Sequence, residues 1–184
     1  LPHSTTCLRR DLAFLEKGRQ FASQQNGGGR VEIVPGDITK PRLGLDDATY
    51  DRLRGEITEV FHLAALYNLA APKDLSYDVN VEGTRRILDL CAASKGLERL
   101  VHISTIVVSG DREGPVLEEE LEMGQRFRNY YQERKYLSEV EVRRRAGEIP
   151  SVIVRPAVVI GDSRSGEIDK YDGPYYFIDA MARL

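Results

Sequence analysis

A chain of 184 residues, 41% hydrophobic and 30% charged, has the length and apolar content of one globular domain with its own core. With 26 basic against 29 acidic residues the net charge is −3, which gives no reason to expect nucleic acid or an anionic membrane as a partner. Two cysteines, Cys7 and Cys91, exclude a disulfide scaffold, and the three histidines show no metal-ligand spacing, so no metal site is expected. No apolar run approaches the length of a bilayer span and no leader pattern opens the chain, which points to the cytoplasm. The first residue is Leu1 rather than Met, so further chain is expected upstream.

Residues 11–24 carry Leu12, Leu15 and Phe21 with helical character, after a short apolar stretch that closes in Arg9 and Arg10. Gly27 to Gly29 precede a strand instead of following one, so they form a loop and not a phosphate cradle. Val31 to Val34 reads as that strand, with Pro35-Gly36-Asp37-Ile38-Thr39 as its turn. Residues 46–54 form a short helix. Glu59 to Ala65 is a strand whose apolar end suits burial on both faces, and the small residues Ala64 and Ala65 leave room for something bulky against the backbone.

A long helix is expected over 75–95, with Val81, Thr84, Leu88 and Cys91 on its inward stripe and Gly96 as its stop. Leu100 to Thr105 is the next strand, residues 109–124 form a loop, 125–146 a helix, and Ser151 to Pro156 a strand. Strand and helix in regular alternation argue for an α/β domain, a Rossmann-like doubly wound parallel sheet. Ligands of such sheets bind beyond the carboxyl ends of the strands. Asp37, Ala64, Ala65, Thr105 and Pro156 all fall at or just past such ends.

Within the helix at 125–146, Tyr131 and Lys135 are four apart and share a face. An ammonium beside a phenol favours the phenolate and lowers its pKa, which makes the pair useful for proton transfer near neutral pH. Thr105, at a neighbouring strand end, is placed to hold a carbonyl or alcohol oxygen within reach of that phenol.

Six ordered segments carry a resemblance: Val34-Pro35-Gly36-Asp37-Ile38-Thr39, Val60-Phe61-His62-Leu63-Ala64-Ala65, Asn80-Val81-Glu82-Gly83-Thr84, Val101-His102-Ile103-Ser104-Thr105, Tyr131 to Lys135, and Arg155 to Ser163. Together they resemble the extended short-chain dehydrogenase/reductase family, and within it the branch of thioester reductase domains and fatty acyl reductases. The resemblance implies an NAD(P)-dependent oxidoreductase acting on a small-molecule carbonyl, alcohol or acyl thioester. It implies that Tyr131 is the general acid/base, that Lys135 holds the nicotinamide ribose and lowers the Tyr131 pKa, and that Thr105 orients the substrate oxygen, with Ser104 as the alternative.

For the cofactor, the resemblance assigns adenine to Asp37 and Ile38, the dinucleotide lining to Ala64 and Ala65, and the wall behind the nicotinamide to Pro156, Ala157 and Val158. Asn80 opens the helix beside the site as a structural residue. Arg10, with Arg9, stands where a guanidinium can grip a 2′-phosphate, which favours NADP with NAD as the alternative. An Asx turn is the competing role for Asp37. His62 and His102 are expected to pack and hydrogen-bond within their strands. Related proteins pair through helices equivalent to 75–95 and 125–146, so a homodimer is expected.

The family's first strand and its Gly-x-x-Gly-x-x-Gly turn are absent from these residues, and residues 166–184 only begin a substrate-binding portion. The expectation is therefore an excerpt of a longer chain, with a domain swap or a partner chain filling the gap as the alternatives, and with a partial cofactor domain over 1–165 and the start of a substrate region over 166–184. Two other functions remain open at this level. One is a sugar-nucleotide epimerase or dehydratase that retains its NAD; the other is a non-catalytic nucleotide-binding or scaffold protein.

Overall fold

The computed structural model describes residues 32, 34–67, 71–168, 171 and 173–183. The chain divides into two units, residues 1–36 and 37–184. Of the first unit, Glu32 and residues 34–36 are described and are irregular. The expected helix at 11–24, the three glycines, Arg9, Arg10 and the other two residues of the expected strand lie outside the described residues.

The second unit is built on a parallel three-stranded sheet of order β1-β2-β3, formed by Glu59–His62, Arg99–Ile103 and Ser151–Val154. The register pairs His62 with His102 and Ile103 with Val154. Parallel neighbours need a crossover. The first runs through α2 (Lys73–Tyr77), a π turn over Asp78–Glu82 and α3 (Gly83–Ala93); the second runs through α4 (Tyr130–Arg144). A shorter helix, α1 (Asp47–Glu56), precedes β1, and α5 (Pro174–Ala182) follows β3.

The expected inward stripe of the first crossover is the buried one, since Val81, Thr84, Leu88 and Cys91 are all buried. Leu88 and Cys91 pack with Leu100 of β2, Val142 of α4 and Ile149, flanked by Val60 and Ile153 from the outer strands. Strand residues alternate between faces, and on the other face Phe61, Val152 and Val154 remain exposed. Among the described residues, then, helices cover one face of the sheet, where burial on both was expected.

Several ends differ from those the sequence suggests, each for a local reason. β1 stops at His62 because the chain two residues past Ala64 is held elsewhere: the Asn80 side chain accepts from the Leu66 N–H at 2.7 Å and donates to its carbonyl at 3.2 Å. α3 ends at Ala93, ahead of Gly96, and is capped by Ser94, whose hydroxyl donates to the Leu90 carbonyl. α4 starts at Tyr130, not 125, because Asn129 caps it, accepting from the Gln132 N–H at 3.0 Å.

Between β2 and α4 a short 3₁₀ turn, Ile106–Ser109, leads into an irregular stretch that is packed rather than loose. Val108, Leu121 and Val140 form a second small core under it. Gly110 sits at φ +63, and a Cβ there would lie 2.5 Å from the Arg126 carbonyl oxygen, so this corner accepts no side chain. No helix among the described residues is long and apolar enough to cross a membrane.

Candidate active site

The three strands deliver their carboxyl ends to one place. Ala64 and Ser104 each lie two residues beyond the paired His62 and His102. Past β3, the Ile106 N–H donates to the Pro156 carbonyl at 3.1 Å, which extends the β2–β3 alignment to Thr105 and Pro156. Ala64, Ala65, Ala157 and Val158 are exposed. Asn80 fixes this shape by holding Leu66.

Asp37 and Ile38 are tied to the same helix layer. Asp37 forms the Asx turn that was its competing role: its Oδ1 accepts from the Thr39 N–H at 2.9 Å and the Thr39 hydroxyl at 2.6 Å. Those two bonds hold the Asp37 carboxyl below the usual carboxylate range, with Lys40 adding to the effect. Ile38 packs on Gly83, where a Cβ would meet its side chain at 2.8 Å, and its carbonyl accepts from Arg86 at 3.1 Å. The Asx turn leaves Oδ2 facing Lys40 at 3.7 Å on a half-exposed side chain.

α4 brings Tyr131 and Lys135 to the strand ends. Lys135 is buried, and its Nζ donates to the Ile103 carbonyl at 2.6 Å, two residues before Thr105. Burial brings the ammonium pKa down to about 8, with Glu139 pulling the other way. Tyr131 moves opposite to expectation: burial raises its pKa and the neighbouring Tyr67 phenol adds to the rise, the two rings meeting edge-on at 4.9 Å. The phenol is therefore held in its protonated form at neutral pH.

Behind Lys135 the two histidines meet as cross-strand neighbours, their rings tilted by 43° with centroids 5.3 Å apart. Thr84 Oγ1 donates to the Asn80 carbonyl at 2.7 Å, so its 2.9 Å contact with His62 is accepted from Nε2–H, which sets the His62 tautomer. Burial first, then Lys135, depresses His62 to about 4, and His102 lower still. Both rings are neutral. His102 is fully buried with neither ring nitrogen hydrogen-bonded, so the expectation of hydrogen bonding holds for His62 alone.

Ser104 and Thr105 separate cleanly. The Ser104 hydroxyl is buried and donates to Glu139 at 2.6 Å, which commits it to the interior. Thr105 is half-buried, and its Oγ1 accepts a long 3.4 Å bond from the Val107 N–H. Its own proton is free of that bond. Of the two hydroxyls, Thr105 is the one able to turn to a ligand.

Glu139 and Arg155 are the residues that pattern reading missed. Glu139 is fully buried and accepts from Arg155 Nη2 at 2.7 Å, from Arg143 Nε at 3.0 Å and from Ser104. The two arginines in turn donate to the carbonyls of Leu117 to Glu120. Burial works to raise the Glu139 pKa, but Arg155, Ser104 and Arg143 outweigh it and hold the carboxyl below its ordinary range. The available signal was spacing: Glu139 is one turn past Lys135, as Lys135 is past Tyr131.

This set fits a nicotinamide dinucleotide. Exposed small residues at two strand ends leave space for a flat ligand, a buried ammonium can meet ribose hydroxyls, and the half-buried Thr105 hydroxyl stands at the strand end nearest it. Among the described residues no group of three or more His, Cys, Asp or Glu is placed to hold a metal ion.

Residues 6–184 match an NAD-binding family model described as Male sterility protein. The alcohol-forming fatty acyl-CoA reductase of Simmondsia chinensis is 37% identical over 97 residues, 52% of this chain and 20% of that protein. A linear gramicidin synthase of Brevibacillus parabrevis is 33% identical over 171 residues, 88% of this chain and 3% of that protein. Among solved structures, the terminal R domain from the myxalamid PKS-NRPS biosynthetic pathway shares 34% identity with a TM-score of 0.73, covering 82% of this chain and 39% of that one. The chain thus spans no more than a fifth of either curated relative.

Proposed function

Because this chain belongs to the NAD-binding family described as Male sterility protein, on the thioester reductase and fatty acyl-CoA reductase branch of the extended short-chain dehydrogenases, we propose that it carries the acid/base half of a nicotinamide-dependent reductase. The substrate is a carbonyl compound, an acyl thioester in the first instance. The observation that supports this most is the bond from Lys135 to the Ile103 carbonyl, which locks the Tyr131 face of α4 to the strand end bearing Thr105.

When bound, the reduced nicotinamide supplies a hydride to the carbonyl carbon. The chain does the rest. Thr105 donates to the carbonyl oxygen and fixes its position, and Tyr131, kept protonated by burial, gives that oxygen its proton as the C=O pair moves onto it. From an acyl thioester the resulting hemithioacetal breaks its C–S bond, releasing thiol and leaving an aldehyde. One Lys135 donor stays on Ile103, which leaves two that would hold the ribose hydroxyls. Asp37, Ile38, Ala64 and Ala65 take the adenosine side, and Pro156, Ala157 and Val158 back the nicotinamide. Arg10, with Arg9, lies outside the described residues and is the sequence feature that favours NADPH over NADH.

The test follows nicotinamide absorbance with NADPH or NADH and a long-chain acyl-CoA. Net consumption with thiol release supports the reductase. Unchanged absorbance with conversion of a sugar nucleotide supports the NAD-retaining alternative and overturns it.

A further inference from the structure

Three elements meet at a residue that the proposed chemistry leaves unused. Glu139, fully buried on α4, receives the Ser104 hydroxyl from the end of β2 at 2.6 Å and the Arg155 guanidinium from the end of β3 at 2.7 Å. Ser104 adjoins Thr105, and Arg155 adjoins Pro156. On its own helix Glu139 stands one turn from Lys135 and two from Tyr131. Through Arg143 and Arg155 it also anchors the backbone carbonyls of Leu117, Glu118, Glu119 and Glu120. Every element bearing a residue assigned to proton transfer or to the nicotinamide wall is thus tied to one carboxylate.

We propose that Glu139 is a positioning residue that joins the strand end bearing Thr105 and the backbone at Pro156 to the face of α4 bearing Tyr131 and Lys135. It touches no reacting atom. As a statement about catalysis this rests on the reductase reading above; as a statement about the charge of Lys135 it stands alone.

The charge matters because of what surrounds it. Lys135 faces neutral His62 from β1, neutral His102 from β2, the Ile103 carbonyl, and Glu139 from its own helix, one turn from Tyr131. Glu139 is the anion in that set and the group that offsets the effect of burial on the ammonium. Glu139 itself faces Arg143 on α4, Arg155 beyond β3 and Ser104 beyond β2. Replacing it with a neutral residue leaves two guanidiniums without their counter-charge beside a buried ammonium.

The experiment compares Glu139→Gln, Glu139→Asp and Ser104→Ala in the full chain. Three quantities are read: kcat, KM for NADPH with an acyl-CoA, and the titration of Lys135 in the unliganded protein by NMR of ¹³C-labelled lysine, its signal assigned with Lys135→Met. Glu139→Gln lowers kcat on the order of 10- to 100-fold with KM for NADPH within about twofold, and the Lys135 titration moves to lower pH. Glu139→Asp restores that titration and part of kcat. A folded Glu139→Gln protein with wild-type kcat and wild-type Lys135 titration overturns the proposal.

Should Glu139→Gln not fold, Ser104→Ala decides: about a tenfold loss of kcat with Lys135 unmoved supports the proposal, and wild-type kcat overturns it. If the wild-type protein consumes no nicotinamide, the reductase reading fails on its own. The Lys135 titration in Glu139→Gln, or in Glu139→Asp where the amide does not fold, then judges what remains, a shift in the first or retention in the second supporting it and the reverse overturning it.

Discussion

Lys135 and Ile103 are joined end to backbone, the ammonium donating to the strand carbonyl at 2.6 Å, so that a cation is built into the floor of the site. Burial sets that ammonium near pH 8. It is charged below that value and loses its proton above it. Activity that depends on the cation therefore falls as pH rises through about 8, and a kcat/KM profile shows an alkaline limb there. Lys135→Met removes the limb together with most of the rate, a drop on the order of 100-fold.

The Tyr131 phenol has a separate signature. Tyr131→Phe keeps the ring and its contact with Tyr67 but removes the proton donor, so turnover falls on the order of 10²- to 10⁴-fold while NADPH affinity stays within about threefold. Fluorescence titration of the nicotinamide checks the second half. Tyr67→Phe works in the opposite sense. It removes the phenol that helps raise Tyr131, and ¹³C NMR of labelled tyrosine finds Tyr131 titrating at lower pH.

The buried histidines make the fold acid-sensitive. In the folded chain His62 titrates near 4 and His102 below that, whereas both take up protons near 6.5 once unfolded. Between those values the unfolded chain holds more protons. Stability is thus full above about pH 6.5 and is lost as pH falls toward 4, with Glu139 adding to the loss below the ordinary carboxylate range. Urea midpoints measured from pH 7 to pH 4.5 show this slope. His62→Gln, which keeps a donor for Thr84, flattens it. His102→Leu flattens it as well, and because neither ring nitrogen has a partner it adds about 1 kcal/mol at pH 7.

Gly83→Ala probes the proposed adenine end from a distance. The new methyl would press on Ile38 at 2.8 Å and push the Asp37 turn off α3. Destabilisation of about 1–3 kcal/mol is expected, with weaker binding of the whole dinucleotide but unchanged binding of a nicotinamide mononucleotide. Thermal melts and competition titrations measure the two effects.

Periodicity carried much of the fold. The stripe from Val81 through Cys91 is buried as its spacing requires, and the three parallel strands fall where apolar runs were flanked by turns. Periodicity did not tell which face α4 buries, because that face is polar: Arg134, Lys135, Ser138 and Glu139 go inside with Val140 and Val142. Charged residues in a helix read as a solvated surface unless their partners are known, and the partners of Glu139 are 16 and 35 residues away, at Arg155 and Ser104. Strand lengths were overread for a related reason, since the exit of β1 is decided by Asn80, which lies in the next crossover. Ser104 and Thr105 differ by one residue and by which side of the strand they meet. Only the packed structure tells the interior hydroxyl from the one facing out.

The π turn at Asp78–Glu82 places the Gly83 N–H on the Asp78 carbonyl, five residues back. That extra residue is a phase shift of about 100° in a helix with 3.6 residues per turn. Losing one codon in this stretch would restore an ordinary helix and swing α2 about a quarter-turn around its axis, carrying Asn80 away from Leu66 or Thr84 away from His62. Substitutions there alter a contact; a deletion would alter the aim of everything upstream. Tolerance to length change should therefore collapse at 78–82 while it persists in the exposed turn at 163–165, a contrast that a library of single-residue deletions would display directly.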